Sequence, residues 1–324
     1  MAVAQERATG PAALQRRGRF RPGDALLYVV TCAAALTGVV LLALITKEVL
    51  TDAWPAMQKF GLGFLTTQAW GDKHNTLFGA KSFIFGTIVT SFGALLIATP
   101  LSLAIALFLT ELAPRWIKTI VAPLIDLLAA IPSVVLGLWG ILVFGPWVRD
   151  HLEPWLQEVF GFLPIFSGEP SQAGLLPAAL VLTIMIVPIC SSICRELFLS
   201  VPVELEEGAM ALGATRWEMV RGVVLPYTRS GVSAALILGL GRAVGEAIAV
   251  SMVLGAGFGI HWSLFATGDT LASKIANQYQ SADTDILRSS LVYLAGILLI
   301  ISLVVNLAAQ VIVRRFSHQR VGGT

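Results

Sequence analysis

Charged residues are scarce in this chain: Lys, Arg, Asp and Glu make up 13% of its 324 residues, whereas 56% are hydrophobic. A soluble domain usually carries about twice that share of charge, so the composition excludes an ordinary soluble fold. Several apolar runs exceed the roughly 20 residues that a helix needs to cross a bilayer. The sequence therefore predicts an all-α polytopic membrane protein. The net charge of +2 gives no indication of a nucleic-acid partner.

Patterns that carry catalysis or bind metals are also lacking. The four histidines are isolated, and none stands with carboxylates at metal-ligand spacing, so we predict no metal site. Residues 79–82 (GAKS) lack the order of a phosphate-binding loop, and neither a nucleophile elbow nor an HExxH motif occurs. We therefore expect a chain that is not an enzyme. Any ATP that the system uses must be hydrolysed by another chain.

Cysteine is rare as well, with three residues in the whole chain. Cys190 and Cys194 have the i, i+4 spacing of one helix face and lie in an apolar run. That spacing suits two small packing residues better than a disulfide, because free cysteine behaves as a buried hydrophobe.

Six apolar segments are long enough to span a membrane. Residues 1–24 are predicted to be a disordered cytoplasmic tail, residues 25–315 a six-helix transmembrane domain, and residues 316–324 a cytoplasmic C-terminal tail. Prolines 100, 132 and 188 are expected to kink or interrupt their spans. The predicted spans are 25–46, 82–109, 119–148, 175–193, 231–255 and 291–313.

Basic residues predict the orientation. If the N-terminus is cytoplasmic, the cytoplasmic segments carry roughly twice as many Lys and Arg residues as the outer ones, as the positive-inside rule requires. This distribution predicts that both termini are inside. It also places the polar loop of residues 200–226 in the cytoplasm, where an ATPase would lie.

That cytoplasmic loop is predicted to hold two short helices. Ser200 is a candidate cap for the first helix, and Gly213 is placed to end it in a left-handed conformation. Thr215 and Glu218 form a capping-box pattern at the start of the second helix. Pro226 is expected to break the helix again. A compact pair of helices between two spans is suited to being gripped by a partner.

The loop resembles the EAA loop of bacterial ABC importer permeases. A Glu-Ala-Ala triplet in that family is followed by a glycine and later by an Ile-x-Leu-Pro-like ending. Here the central alanine of the triplet is glycine and the isoleucine is Val223, whereas the spacing is in register. The resemblance implies that the loop couples to an ATPase through Glu207, Gly208, Ala209, Gly213, Leu225 and Pro226.

Arg242 and Glu246 are opposite charges near the middle of the fifth predicted span, and we predict no other basic residue within a span. Their i, i+4 spacing predicts one helix face, about one turn apart. Because a lone intramembrane arginine is costly, the pair must face protein or water. A guanidinium suits a tetrahedral oxyanion, so we interpret the pair as part of a substrate pathway. An ion pair that only fixes helix packing is the alternative. Gly241 and Gly245 would let a second backbone approach closely.

Other polar positions are expected to be structural. Asp126 is predicted to pair with an arginine near the inner face or to cap backbone donors near Pro132, rather than to contact substrate. The outer loops, residues 150–173 and 257–287, are expected to contain interfacial aromatic residues and solvated caps. A docking surface for an extracytoplasmic partner is the alternative interpretation of these loops.

Three further motifs narrow the resemblance to the PstC-type permeases of the phosphate-specific ABC importer: PLSLAIALFLTELAP (100–114), AAIPSVVLGLWG (129–140) and LGRAVGEAIAV (240–250). Arg242 and Glu246 match the charged positions that this family places in its pathway. The resemblance implies a type I ABC importer permease fold in the bacterial plasma (inner) membrane.

The same resemblance implies a set of partners. They are a second, PstA-type permease in a heterodimer, a homodimeric ATPase that uses ATP and Mg, and an extracytoplasmic phosphate-binding protein. This chain itself is expected to bind no cofactor.

Two other functions stay open at this stage. A permease for sulfate or molybdate would share the fold, but Glu246 favours phosphate, because sulfate near neutral pH has no proton to donate to a carboxylate. An ion-driven secondary transporter would also use an intramembrane Arg–Glu pair. It would need no gripped cytoplasmic loop, and its internal repeats are not evident in this sequence.

Overall fold

A computed structural model describes residues 22–71 and 77–317, and it builds that part of the chain from helices. An isolated β-bridge joins Trp70 to Phe78. Short π-helical segments interrupt or extend several helices, at Phe108–Leu112, Gly140–Phe144, Val148–Leu152 and Val220–Val224. The α-helices are α1 Pro22–Phe60, α2 Gly63–Thr66, α3 Lys81–Leu107, α4 Arg115–Ala129, α5 Ser133–Trp139, α6 Gly145–Trp147, α7 Glu153–Phe160, α8 Leu175–Leu199, α9 Val203–Ala211, α10 Arg216–Met219, α11 Leu225–Gly245, α12 Ile248–Val253, α13 Leu271–Gln278 and α14 Asp285–Ser317.

Six helical stretches in the described residues are long and apolar enough to cross a membrane, which confirms the predicted number of spans. The second predicted span is met within three residues at both ends, and the first and fourth begin within one residue of their predicted starts, whereas the other bounds differ by more. Residues 1–21 of the tail predicted for 1–24 lie outside the described residues. Residues 318–324 of the tail predicted for 316–324 also lie outside them. The stretches are Leu26–Phe60, Lys81–Leu112, Ser133–Phe160, Leu175–Leu199, Arg216–Gly245 and Asp285–Ala308.

The third span differs from its prediction. Residues 119–129 belong to the separate helix α4, and the membrane-length helix starts only at Ser133. Pro132 is the N-cap of α5, with φ −59° and ψ 137°. A proline disfavours helical geometry at the residue before it and lacks an N–H for the preceding turn, so the chain restarts rather than kinks.

The fifth span also differs. The helix that begins at Arg216 passes through Pro226 without a break and ends at Gly245, inside the predicted range of 231–255. The wider π-helical turn at Val220–Val224 precedes the proline, which then occupies the first turn of α11. A missing N–H is tolerated there, so the predicted break at Pro226 is wrong.

The chain divides into two units, Met1–Glu48 and Val49–Thr324. The described part of the first unit is the N-terminal portion of α1, whose side chains from Leu26 to Ile45 are exposed. The second unit contains the buried cores. Its central helix is α8, which contributes most of its length to them.

Close approach between α8 and α11 depends on small residues. A Cβ added to Gly239 would lie 2.6 Å from the sulfur of Cys190, so only glycine fits there. The Cys190 thiol donates to the Ala235 carbonyl at 3.5 Å. Cys190 and Cys194 are both free and buried, which confirms their predicted packing role.

The segment between α12 and α14 is buried in part, contrary to the expected solvated cap. Asp269 and Lys274 form an ion pair of 3.8 Å, with side chains only 3% and 14% exposed. The Lys274 ammonium also lies 5.4 Å and 5.3 Å from the ring centres of Trp70 and Phe83. Burial raises the pKa of Asp269 and lowers that of Lys274, because each loses hydration. Sequence reasoning missed this pair, since a composition rich in Gly, Ser and Asp is typical of exposed loops.

Candidate functional site

A break in the fifth span forms the first candidate site. Helix α11 ends at Gly245, Glu246 is extended with φ −73° and ψ 118°, and α12 begins at Ile248. The Glu246 carboxylate accepts a hydrogen bond from the Ala249 amide at 3.1 Å, so it caps the new helix. The break thus has a local cause: a glycine that tolerates a helix end is followed by a carboxylate that can cap the next helix.

The break lies midway along α8. Gly239 of α11 is opposite Cys190, and Ala243 packs in the same buried cluster as Met185 and Ile186. At the far end of α12, the Val253 carbonyl accepts a hydrogen bond from the Gly174 amide, just before α8 begins. Helices α11 and α12 together therefore run alongside α8, and Arg242 is level with its central turns.

Arg242 lies on the last turn of α11 and is exposed. It makes no hydrogen bond and no ion pair with any other residue in 22–71 or 77–317. The partial negative charge at a helix C-terminus favours a cation in this position. The predicted Arg242–Glu246 pair is not formed, since the helix break turns the carboxylate toward the Ala249 amide. Arg242 therefore presents an open guanidinium on an outward face.

Two of the four glycines of α11, Gly241 and Gly245, face no neighbour among the described residues. A Cβ added to Gly241 or to Gly245 would meet nothing within 4 Å among the described atoms. They and Arg242 lie on the face that also exposes Ala234 and Leu238. The predicted packing role of these glycines therefore stays a prediction.

The polar loop of residues 200–226 is the second candidate site. Gly213 ends the first loop helix with φ +88°, as predicted. The capping box is confirmed: Glu218 accepts from the Thr215 amide at 2.8 Å, and its own amide donates to the Thr215 hydroxyl at 3.3 Å. Ser200 does not cap α9. Its hydroxyl donates to the Leu197 carbonyl at 2.7 Å and closes the end of α8, while Pro202 is the N-cap.

An apolar surface on this loop was missed by sequence reasoning. Leu212 is 91% exposed and Trp217 is 64% exposed, and Val203, Leu205 and Met210 of the same loop are also exposed. Large apolar side chains in a polar loop between two spans were the available signal, because such a patch marks an interaction site.

The residues that resemble the EAA loop divide between two faces. Glu207, Gly208 and Gly213 are exposed, and a Cβ on either glycine would meet nothing within 4 Å. Ala209 and Leu225 pack instead against the buried cluster that contains Phe198 and Met219. Pro226 is exposed in the first turn of α11. One face of the loop therefore packs against the rest of the protein, and the other face is exposed.

The loop is seated on the end of the second span. Arg216 donates to the backbone carbonyl of Glu111 at 3.4 Å. Burial raises the pKa of Glu206, and repulsion from the nearby Glu111 carboxylate raises it further. Contacts between the loop and the ends of the spans could transmit a movement from one to the other.

Asp126 pairs with an arginine, as predicted. Its Oδ1 accepts from the Ser192 hydroxyl at 2.8 Å, and its Oδ2 lies 3.7 Å from Arg195 Nη2. Helix α8 extends to Leu199 rather than ending at 193, so Arg195 lies within a membrane-length helix. A helix of this length can extend beyond the hydrocarbon, so the expectation that Arg242 is the sole basic residue within the membrane stays a prediction.

The described residues contain no group of three or more His, Cys, Asp and Glu side chains that could hold a metal ion. Neither candidate site contains paired acid–base groups or a nucleophile beside a base. Their chemistry is that of an exposed cation within a membrane-length helix and of a partly exposed polar loop at its end.

Comparison with known proteins gives consistent results. Residues 98–318 match the family described as "Binding-protein-dependent transport system inner membrane component". A Mesorhizobium japonicum protein named "Phosphate transport system permease protein PstC" is 40% identical over 301 residues, which cover 92% of each chain. A Xylella fastidiosa protein of the same name is 43% identical over 298 residues, 90% of each chain.

A solved structure supports the fold. The crystal structure of a bacterial alginate ABC transporter in complex with an alginate-bound periplasmic protein contains a chain with a TM-score of 0.57 to this one, at 19% identity. The similarity covers 90% of this chain and 96% of that chain. At this level of identity, the likeness concerns the fold alone.

Proposed function

Because the chain belongs to the family of binding-protein-dependent transport system inner membrane components, we propose that it is the PstC-type permease of an importer that moves inorganic phosphate into the cytoplasm. It is a multi-pass inner-membrane permease of the type I ABC importer fold and is not catalytic. A separate ATPase subunit supplies the energy, and a binding protein delivers the substrate. Membership in this family excludes the ion-driven secondary transporter.

Phosphate is supported by the names of relatives that are 40–43% identical over about nine-tenths of this chain. The observation that carries the proposal is the open Arg242, level with the middle of α8 and free of any carboxylate partner in residues 22–71 and 77–317. Its planar fork offers two parallel donors to a tetrahedral oxyanion. Glu246, one residue beyond the end of α11, is placed to accept a hydrogen bond from a protonated oxyanion.

We propose that a second permease covers the exposed face of α11. An uncovered arginine within a bilayer costs about 2.5–3.5 kcal/mol on insertion scales, so protein or water must cover this face. Gly241 and Gly245 leave room for a neighbouring backbone. A PstA-type permease would pack there as a heterodimer and supply a further basic residue to the pathway.

The cytoplasmic loop would dock on a homodimeric ATPase. The outward apolar patch around Leu212 fits a cleft on that subunit, and the exposed Glu207, Gly208 and Gly213 lie on the same loop. Both termini would then be cytoplasmic. ATP and Mg would be used by the ATPase, this chain would bind no cofactor, and a phosphate-binding protein would dock on the opposite side.

Replacement of Arg242 tests the proposal. Arg242→Gln keeps side-chain length and removes the charge, so phosphate uptake should be abolished, and Arg242→Lys should rescue it poorly because an ammonium lacks the fork. Arg115→Gln is a charge-matched control, since Arg115 is an exposed arginine outside both candidate sites. The measurement is radiolabelled phosphate uptake in cells without other phosphate importers, with assembly checked by pull-down.

The outcomes separate the alternatives. Near-normal uptake by Arg242→Gln would remove Arg242 from the pathway. Competition by excess sulfate or molybdate, at concentrations where unlabelled phosphate competes, would assign the permease to another oxyanion.

A further inference from the structure

We propose that Glu153 is a proton-binding site that clasps residues 164–174 (the outer segment), and that loss of its proton lets this segment lift away. The outer segment leads into α8 at the end of the protein opposite the 200–226 loop. Glu153 belongs to neither candidate site. The clasp itself does not depend on the substrate, whereas its consequence for uptake rests on the proposed function.

The carboxyl group of Glu153 is enclosed by the protein. Glu153 is 0% exposed, contrary to the solvated loop expected for residues 150–173. Its Oε2 accepts a hydrogen bond from the Ser171 amide at 2.6 Å, and its Oε1 has no hydrogen-bond partner among the described residues. An ionised carboxylate that is buried with an unpaired oxygen is strongly unfavourable, and a bound proton removes most of that cost. The surroundings of Glu153 therefore suit the protonated acid.

The arginine one turn before Glu153 is committed to another carboxylate. Arg149 donates to Asp150 at 2.6 Å and 3.0 Å, and its further contact is with the Gln172 side-chain oxygen at 3.5 Å. None of the described contacts brings a positive charge to the Glu153 carboxyl group. The other ionisable side chains of the elements packed around it belong to exposed residues, which are His151, Glu158, Glu169 and His261.

Two side chains of α7 hold the outer segment. Glu153 accepts from its backbone, and Gln157 Nε2 donates to the Gly168 carbonyl. Their i, i+4 spacing places both side chains on one face of the helix. The segment also lies directly against the preceding turn, because a Cβ on Gly145 would be 2.3 Å from the Gln172 carbonyl oxygen. Water therefore reaches the Glu153 carboxyl group only when the segment moves.

The outer segment is bonded to the end of α12 and to the chain that follows it. Its last residue, Gly174, donates to the Val253 carbonyl at 3.0 Å, and its Ile165 carbonyl accepts from the Leu264 amide at 2.9 Å. Helix α12 is the one whose first turn is capped by Glu246. Release of the outer segment would therefore free one end of the helix that begins at the break in the fifth span.

The direction of the pH effect follows from the change in the surroundings of Glu153. With the segment in place, the carboxyl group keeps its proton. Once the segment lifts, the group contacts water and ionises above about pH 4.3, as an exposed glutamate does. Opening thus releases one proton, so its equilibrium constant increases by up to about tenfold for each pH unit. The clasp is firm at low pH and weakens as the pH rises, until the pH at which Glu153 also ionises in the closed protein.

Hydrogen exchange of the complete importer in lipid nanodiscs measures the clasp. The readout is the protection factor of the Ser171 amide, taken against a free peptide of residues 164–174 at the same pH, so the intrinsic pH dependence of exchange cancels. Between pH 5 and pH 7, protection in the parent should fall by about tenfold or more. Glu153→Gln keeps an acceptor for this amide but cannot ionise, so its protection should not change with pH. Glu158→Gln removes an exposed carboxylate from the same helix and should follow the parent.

Protection that is independent of pH in the parent would overturn the proposal, and so would an equal fall in Glu153→Gln. If Glu153→Gln does not assemble, two further variants keep the test decisive. His151→Gln and His261→Gln remove the neighbouring histidines, which titrate in the same pH range. The fall in protection should persist in both, and its loss in either variant would assign the effect to that histidine instead of Glu153.

Phosphate uptake into proteoliposomes distinguishes failure of the clasp from failure of the proposed function. At each pH, comparison with the parent removes the effect of phosphate protonation, and Glu153→Gln should lose the gain in uptake rate that the parent shows as the pH rises. If Arg242→Gln abolishes phosphate uptake but protection at Ser171 does not depend on pH, the clasp is wrong and the permease assignment stands. If the importer carries another oxyanion, the exchange result still decides the clasp, because it uses no substrate.

Discussion

Gly86→Ala is expected to dislodge the buried segment that carries Asp269. A Cβ on Gly86 would lie 2.1 Å from the Asp269 carbonyl oxygen, well inside van der Waals contact. Both atoms belong to or are fixed by backbone, so the two segments would have to separate by roughly 1 Å. That movement would also weaken the hydrogen bond from the Leu271 amide to Thr87 Oγ1, which is 3.0 Å long.

The expected cost follows from three contributions. Overpacking of this kind costs about 1–3 kcal/mol, and the weakened hydrogen bond adds about 1 kcal/mol. Replacing a helical glycine by alanine returns about 1 kcal/mol. Gly86→Ala should therefore destabilise the protein by about 2 kcal/mol, and its effect should increase if the buried Asp269–Lys274 pair separates.

Gly93→Ala is the matched control in the same helix. A Cβ there would lie 3.6 Å from the Cβ of Ala179, an ordinary contact, so stability should be unchanged or slightly higher. Thermal unfolding of the two purified variants, followed by size-exclusion chromatography with intrinsic fluorescence, measures the difference. Equal stability of the two variants would refute the close approach of Gly86 to Asp269.

Three other outcomes are expected. Gly213→Val should lose coupled transport but retain membrane insertion, because φ +88° is strained for a β-branched residue. Gly213→Asn should retain more activity. ATP-dependent uptake measures transport in both variants, and a parallel assay of complex assembly measures insertion. Glu246→Gln should keep the hydrogen bond from the Ala249 amide but weaken discrimination against sulfate, measured by competition uptake. Glu246→Ala should also reduce stability by about 1 kcal/mol, measured by thermal unfolding. Equal stability of the Gln and Ala variants would argue against the cap. The purified chain should show no ATP hydrolysis, and activity that follows it through purification would contradict a separate ATPase.

The number of spans could be predicted because each depends on a local property. A run of about 20 apolar residues is enough to favour insertion, whatever surrounds it. The capping box of Thr215 and Glu218 and the left-handed Gly213 were predictable for the same reason: their partners lie within three or four residues. Pairing of Asp126 with an arginine was predictable in kind, since a carboxylate in a largely apolar segment needs a donor.

The break after Gly245 depends on a contact that is distant in sequence as well as on its local residues. Helix α12 packs against α5 so closely that a Cβ on Gly137 would lie 2.8 Å from the Ala249 Cα. The direction of the chain after Glu246 is therefore set in part by a helix more than 100 residues earlier. Hydrophobic periodicity depends only on residues that are near in sequence, so it does not report that contact and predicted one continuous span. The burial of Asp269 and Lys274 was hidden in the same way, because their neighbours Trp70 and Phe83 lie in a distant part of the chain.

The helix break at Glu246 changes which group stabilises the positive charge of Arg242. On a continuous helix, Glu246 would lie one turn from Arg242 and neutralise it through an ion pair. An anion could then bind Arg242 only by breaking that ion pair. With the helix ended at Gly245, the carboxylate is committed to the Ala249 amide, and the guanidinium is stabilised by the end of its own helix. That stabilisation comes from partial charges, which offset less of the guanidinium charge than a carboxylate would. If the proposed function holds, an incoming oxyanion would find Arg242 unoccupied, and Glu246 would be a nearby acceptor for a substrate proton.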